Sequence, residues 1–177
     1  MGGKSISIIL IVCAVATCCP ANTPDKLEKA LPAMEGWEHT KACLILAEEI
    51  LNSNPERALE LALQADSAAR RLNDNSLELN AAYLLGRLYD DANNYQESER
   101  YYSRFLKLLN KQEILTDDLL AKKSEVHRSL GYFYVFINAD YEKSLNHFVK
   151  AAEIAEERKD NETLAYSLSG MGFVHRN

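Results

Sequence analysis

Two glycines sit where a helix interior disfavours them. Gly86 lies in Ala82-x-x-Leu85-Gly86-x-x-Tyr89 and Gly131 in His127-x-x-Leu130-Gly131-x-x-Tyr134, both within stretches whose apolar residues recur at three and four, the spacing of one helical face. Glycine inside a helix costs about 1 kcal/mol relative to alanine, so its recurrence in one setting needs a reason. A missing side chain lets a second helix come close. That second helix recurs as well: Ser98-x-x-x-Tyr102-x-x-Phe105 follows the first glycine and Ser144-x-x-x-Phe148-x-x-Ala151 the second. Leu168-x-x-Met171-Gly172-x-x-His175 reads as a third copy of the first helix. The expected fold class is all-α, an array of antiparallel helix pairs.

Breakers and caps set the boundaries. Pairs are expected at about 37–52 and 55–71, 76–91 and 95–110, and 117–136 and 141–159, with a last helix from about 162. Asn54 can cap, Pro55 takes the first helical position where its missing N–H costs nothing, and Ala58, Leu61, Ala62, Ala65 and Ala69 make a narrow small-residue stripe. The turns Asp91-Ala92-Asn93-Asn94 and Asn138-Ala139-Asp140 are short enough to return the chain antiparallel. Thr116 caps the third pair.

These segments resemble tetratricopeptide repeats, units of about 34 residues with Leu-Gly-x-x-Tyr on the first helix and Ala-x-x-x-Phe on the second. The repeat domain spans 36–177, with units near 39–72, 79–112 and 124–158 and a partial unit 165–177; 79–112 matches best, and 39–72 only through Ala58, Ala62 and Ala65. Ser98 and Ser144 stand where alanine is usual, the closing proline is missing, and the interval from Gly86 to Gly131 exceeds the repeat length. Longer helices or loops such as Asn110 to Thr116 would absorb the excess.

The resemblance implies an α-α superhelix that holds another polypeptide, the first helix of each pair lining its concave face. The outward residues there are Asn80, Tyr83, Arg87 and Asp90, then Glu125, Arg128, Tyr132 and Val135 with Phe136 nearby, then Tyr166, Ser169, Phe173 and Arg176. Aromatic rings beside guanidinium groups suit binding, since they bury large area and still offer hydrogen bonds and cation–π contact. The competing reading has the aromatics filling gaps between helices and the arginines in solvated or internal pairs. The family's clamp for a terminal carboxylate uses Lys and Asn at positions held here by Tyr83 and Arg87. An internal segment, or another copy of this chain, is therefore the expected ligand.

At the N-terminus, Lys4 precedes an apolar run from Ile6 to Thr17, of signal-peptide length and short for a membrane span. Residues 1–24 read as a signal, and Val15-Ala16-Thr17-Cys18 resembles a bacterial lipoprotein signal. The candidate lipidation residues are Cys18 and Cys19. Thr17 departs from the small residue expected there, and simple cleavage and an uncleaved hydrophobic helix stay open. Export places the protein in the periplasm or anchored in the cell envelope, touching membrane only through this segment or a lipid. With export, the long Tyr-rich repeats also resemble the extracytoplasmic sensor halves of regulators in gut Bacteroidetes.

Chemistry is not expected. The formal net charge of -6 leaves no electrostatic footprint for nucleic acid. His39, His127, His147 and His175 are scattered, no metal or cofactor motif is present, and Cys43 reads as a core residue. Glu48-Glu49 and Glu156-Glu157 point about 100° apart on a helix and read as solvated surface. The expected function is a protein- or peptide-binding scaffold of the bacterial envelope, a sensory part of a signalling protein. The alternatives are a structural element that self-associates through the C-terminal helix and a glycan- or small-molecule-binding accessory lipoprotein.

Overall fold

A computed structural model describes residues 24–176. Among these it contains eight α-helices and no strand: α1 Pro24–Ala30, α2 Gly36–Ile50, α3 Pro55–Leu72, α4 Asn75–Asp91, α5 Tyr95–Leu109, α6 Asp117–Phe136, α7 Tyr141–Arg158 and α8 Asn161–His175, with a 3-10 turn Leu31–Ala33 after α1. The fold is all-α, of consecutive antiparallel helix pairs in a helical-repeat architecture, and every expected helix is present to within two residues. α1 was not expected; it and the turn after it bury Leu27 and Leu31. The apolar run and Cys18 and Cys19 lie outside the described residues, while Pro24, assigned to the signal, opens α1.

Four tight turns share one construction. In each, a residue in the left-handed region immediately precedes the residue that caps the following helix: Asn73 then Asp74, Asn93 then Asn94, Ala139 then Asp140, Lys159 then Asp160, with φ of 55°, 57°, 53° and 58° at the first of each pair. The capping side chains accept from the backbone N–H of Leu77, Glu97, Lys143 and Thr163. The N–H groups of Asp74, Asn94 and Asp160 reach back to the carbonyls of Ala69, Tyr89 and Ala155, the closure a left-handed cap makes. Asparagine tolerates that backbone, but an alanine there is strained by about 1–2 kcal/mol. Ala139→Gly is therefore expected to raise stability by about 1 kcal/mol, after allowing for glycine's extra chain entropy. A denaturant titration that showed a loss instead would mean that Ala139 does not carry this strain.

Contacts divide the chain after Leu88 into two compact units, with α4 running across the division. In the first, α2 packs on α3. The alanine stripe explains how: Ala58, Leu61, Ala62, Ala65 and Ala69 are all buried, as are Cys43, Leu46 and Ala47 of α2. Cys43 packs as the core residue expected, and burial pushes its thiol up to about 11.

In the second unit α6 packs on α7 and α7 on α8, while α5 and α8 also meet α6. The centre is Phe148, fully buried on α7. A Cβ built on Gly131 would lie 2.7 Å from its ring, and one built on Gly170 would also overlap it. The ring is gripped between a glycine of α6 and a glycine of α8, which is the close approach Gly131 was expected to permit. The third copy had the wrong glycine: Gly172 has nothing within 4 Å. α8 turns Ser167, Gly170 and Val174 inward, and two residues beyond Gly170 the helix has rotated by roughly 200°. Ser144, the departure from alanine, donates to the carbonyl of Gly131 at 2.8 Å. Ser124 does the same to Ala151 at 2.9 Å, so two buried hydroxyls tie α6 to α7.

Candidate functional site

The core contacts of α6 decide which of its residues face outward. Ser124, His127, Leu130, Gly131 and Val135 are buried. This leaves two adjacent rows on another side, Arg128, Tyr132 and Phe136 in one and Ser129 and Phe133 with Ile137 in the other, each stepping by four residues. With Asp90 at the end of α4 and Tyr95 at the start of α5 they line an open cavity of about 300 Å³.

Aromatic contacts order this groove. Tyr132 stacks nearly parallel on Phe136, 6.1 Å between centroids, and meets Phe148 edge-on at 5.0 Å. Phe136 in turn contacts Phe173 of α8 at 5.0 Å. The Tyr132 hydroxyl donates to the backbone carbonyl of Tyr166 at 3.4 Å. Phe136 is nonetheless 59% exposed and Tyr166 49%, so large apolar faces remain in water.

Charge enters through Arg128 and Asp90. The Arg128 guanidinium lies over the Tyr166 ring, 5.4 Å from its centroid. Its Nε is buried and has no hydrogen-bond partner among the described residues. A buried N–H without an acceptor is costly, and an incoming carbonyl or carboxylate would relieve it after a small side-chain shift. Burial holds the Asp90 carboxyl above its usual range, opposed by a hydrogen bond from Ser129 and by nearby Arg128. The groove thus pairs a hydrophobic shelf with one cation and one reluctant anion.

The other candidates distribute as follows. Phe173 is half-buried against Phe136, and Arg176 is exposed beyond the end of α8. In the first unit Asn80 turns its amide back to the carbonyl of Ser76 at 3.1 Å. Tyr83 is only 5% exposed, with Arg87 over its ring at 5.8 Å. These side chains are occupied within the fold, which corrects the expectation that Tyr83 faces outward. Val135 is buried too, for it falls on the core side of α6. Spacing alone did not single out Tyr95, Ser129, Phe133 or Ile137. The step of four from Ser129 through Phe133 to Ile137 was the available signal.

The histidines are not all scattered. Because Ser124 lies opposite Ala151 and Gly131 opposite Ser144, His127 falls opposite His147, and their Nδ1 atoms stand 2.9 Å apart. Antiparallel register across the hairpin would have shown this. Burial first, then each other and nearby lysines, drive His127 down to about 3, and burial and Lys150 drive His147 down to about 4. No group of three or more metal-ligating side chains occurs among the described residues, and no described helix is long and apolar enough to cross a membrane. No protein-family model matches the chain, and no curated protein is significantly similar to it.

Proposed function

We propose that this chain is a protein- or peptide-binding scaffold of a bacterial cell envelope, serving as the sensory part of a signalling protein, and that the α6–α8 groove holds the ligand. The observation that carries the reading is the pairing of solvent-exposed Phe136 and Tyr166 with an Arg128 Nε that has no acceptor. Exposed aromatic area beside an unsatisfied donor favours an extended segment offering an apolar side chain and a carbonyl or carboxylate. The repeat pattern of Leu130-Gly131-x-x-Tyr134 supports a tetratricopeptide-like scaffold, and the apolar run after Lys4 supports export. No catalytic step belongs to this reading.

Site-directed photocrosslinking tests it. A photoreactive residue at 136 is expected to capture polypeptide in the envelope, one at 157 on the exposed side of α7 is not, and Arg128→Ala is expected to cut the capture at least about fivefold, the loss of roughly 1 kcal/mol from a single charge-assisted contact. Equal capture at both positions, or indifference to Arg128, would end the proposal.

Self-association is the second reading, favoured by Tyr166 and Leu168, which leave 49% and 52% of their surface exposed on α8. Light scattering across concentration is expected to show a dimer that Leu168→Glu dissolves. A monomer throughout removes this reading and leaves the first untouched.

A further inference from the structure

His127 and His147 lie on the face of the α6–α7 hairpin that the groove does not use. Ring nitrogens 2.9 Å apart can hydrogen-bond only if one carries the proton and the other offers a lone pair. Two doubly protonated rings would present donor to donor and charge to charge, with centroids 5.1 Å apart.

The surroundings give a second proton no relief. Lys123 on α6 and Lys150 on α7 act on the pair, and both are cationic. Tyr134 of α6 stacks on His147 at 5.4 Å, with Lys143 over the far tyrosine ring at 5.3 Å. The carboxylate α5 brings near, Glu99, accepts from the Tyr134 hydroxyl at 3.1 Å. No charge of α8 acts on either ring among the described residues. Asp140 and Glu142 line a cleft beside His147, on its solvent side, together with Lys143 and Asn146. Water and protons therefore reach His147 from that cleft.

The pair connects directly to the groove. Phe148 follows His147 in sequence, sits between Gly131 and Gly170, and supports Tyr132 edge-on at 5.0 Å. Tyr132 is the ring on which Phe136 stacks. Moving α7 away from α6 withdraws that support.

We propose that the His127–His147 pair is an acid-sensitive clasp on the α6–α7 hairpin, closed while the rings share a single hydrogen-bonded proton and released when both become charged, and that its release dismantles the Tyr132–Phe136 side of the groove. This concerns regulation of the site proposed above and rests on that reading only for its biological meaning. The open hairpin gains tenfold per ring per pH unit below the ordinary histidine value, so between pH 7 and pH 5 its population rises by about two to three orders of magnitude.

Hydrogen exchange on the full chain reads the opening without any ligand. After correction for intrinsic rates, amides of 124–136 and 144–155 are expected to lose about 100-fold or more protection from pH 7 to pH 5. The His127→Gln, His147→Gln double variant, which can keep an amide pair, is expected to lose less than about tenfold, since its linked protons are gone. Phe136→Trp in a Trp37→Phe background reports the groove, its emission shifting red on acidification in the parent and not in the double variant. Equal pH dependence in parent and double variant, or none in the parent, overturns the clasp; exchange that opens without the emission shift overturns its link to the groove. Should the double variant fail to fold, a ring-carbon NMR titration of the parent decides: both rings are expected to stay neutral at pH 5 in the closed form, and a ring titrating at its ordinary value overturns the proposal. Failure of crosslinking at 136 with the clasp intact would remove the peptide reading alone.

Discussion

Phe148→Ala is expected to destabilise the second unit by about 3–5 kcal/mol, the range for emptying a phenylalanine site in a closed core. The side chain is fully buried, and two helices, α6 and α8, converge on it through Gly131, Tyr132, Val135 and Gly170. Two of its neighbours are glycines with no side chains to swing into the space, so the cavity cannot collapse without moving backbone. The opposite change probes the same enclosure. Gly131→Ala places a Cβ 2.7 Å from the ring, and Gly170 of α8 also packs close against that ring and limits its retreat. Overpacking of roughly 1–3 kcal/mol then outweighs the helix propensity that alanine gains, and Phe148→Leu in the same chain should return part of it. Urea unfolding followed by helical circular dichroism measures both. A Phe148→Ala cost under about 1.5 kcal/mol, the level of a lightly packed site, would contradict the enclosure.

Acidification is expected to have the next largest effect. His127 and His147 are driven down to about 3 and about 4 in the folded protein, burial being the main cause, from an unfolded value of 6.5. The unfolded chain therefore binds more protons between pH 6.5 and pH 3, and stability falls as pH falls across that window. Above pH 7 the contribution is complete; below pH 3 no more is lost through these groups. At pH 5 the buried His127 alone accounts for about 2 kcal/mol, and the partly solvated His147 adds less. Thermal melts from pH 7.5 to pH 4.5 should show a steep decline that the double glutamine variant flattens. Parallel declines in the two proteins would assign the effect to other groups.

Helix positions were legible because their determinants are local. Asn54 before Pro55, Thr116 before Asp117 and the polar turns around Asn93 and Asp140 mark ends through caps that act within a few residues. Gly131 could be assigned a packing role because a glycine inside an amphipathic helix demands one. Gly172 misled for an instructive reason: the pattern Met171-Gly172 matched by letter, while the inward face of α8 is set by Ser167, Gly170 and Val174 packing on α7. Tyr83 failed similarly, since facing outward on one helix says nothing about what covers that face. Arg128, Tyr132, Phe136, Tyr166 and Phe173 were named as the outward face that the repeat resemblance implies, yet their mutual contacts came from the docking of α8 beside α6.

What the chain's order of residues determined alone is its class, the limits of its helices from Gly36 onward and its tight turns, all governed by interactions over one or two helical turns. Which glycine grips Phe148, which tyrosine is buried and which two histidines touch were decided by the tertiary structure. Those outcomes depend on the rotation and register of one helix against another, and a shift of a single residue turns a side chain by about 100°. Only long-range packing fixes that angle.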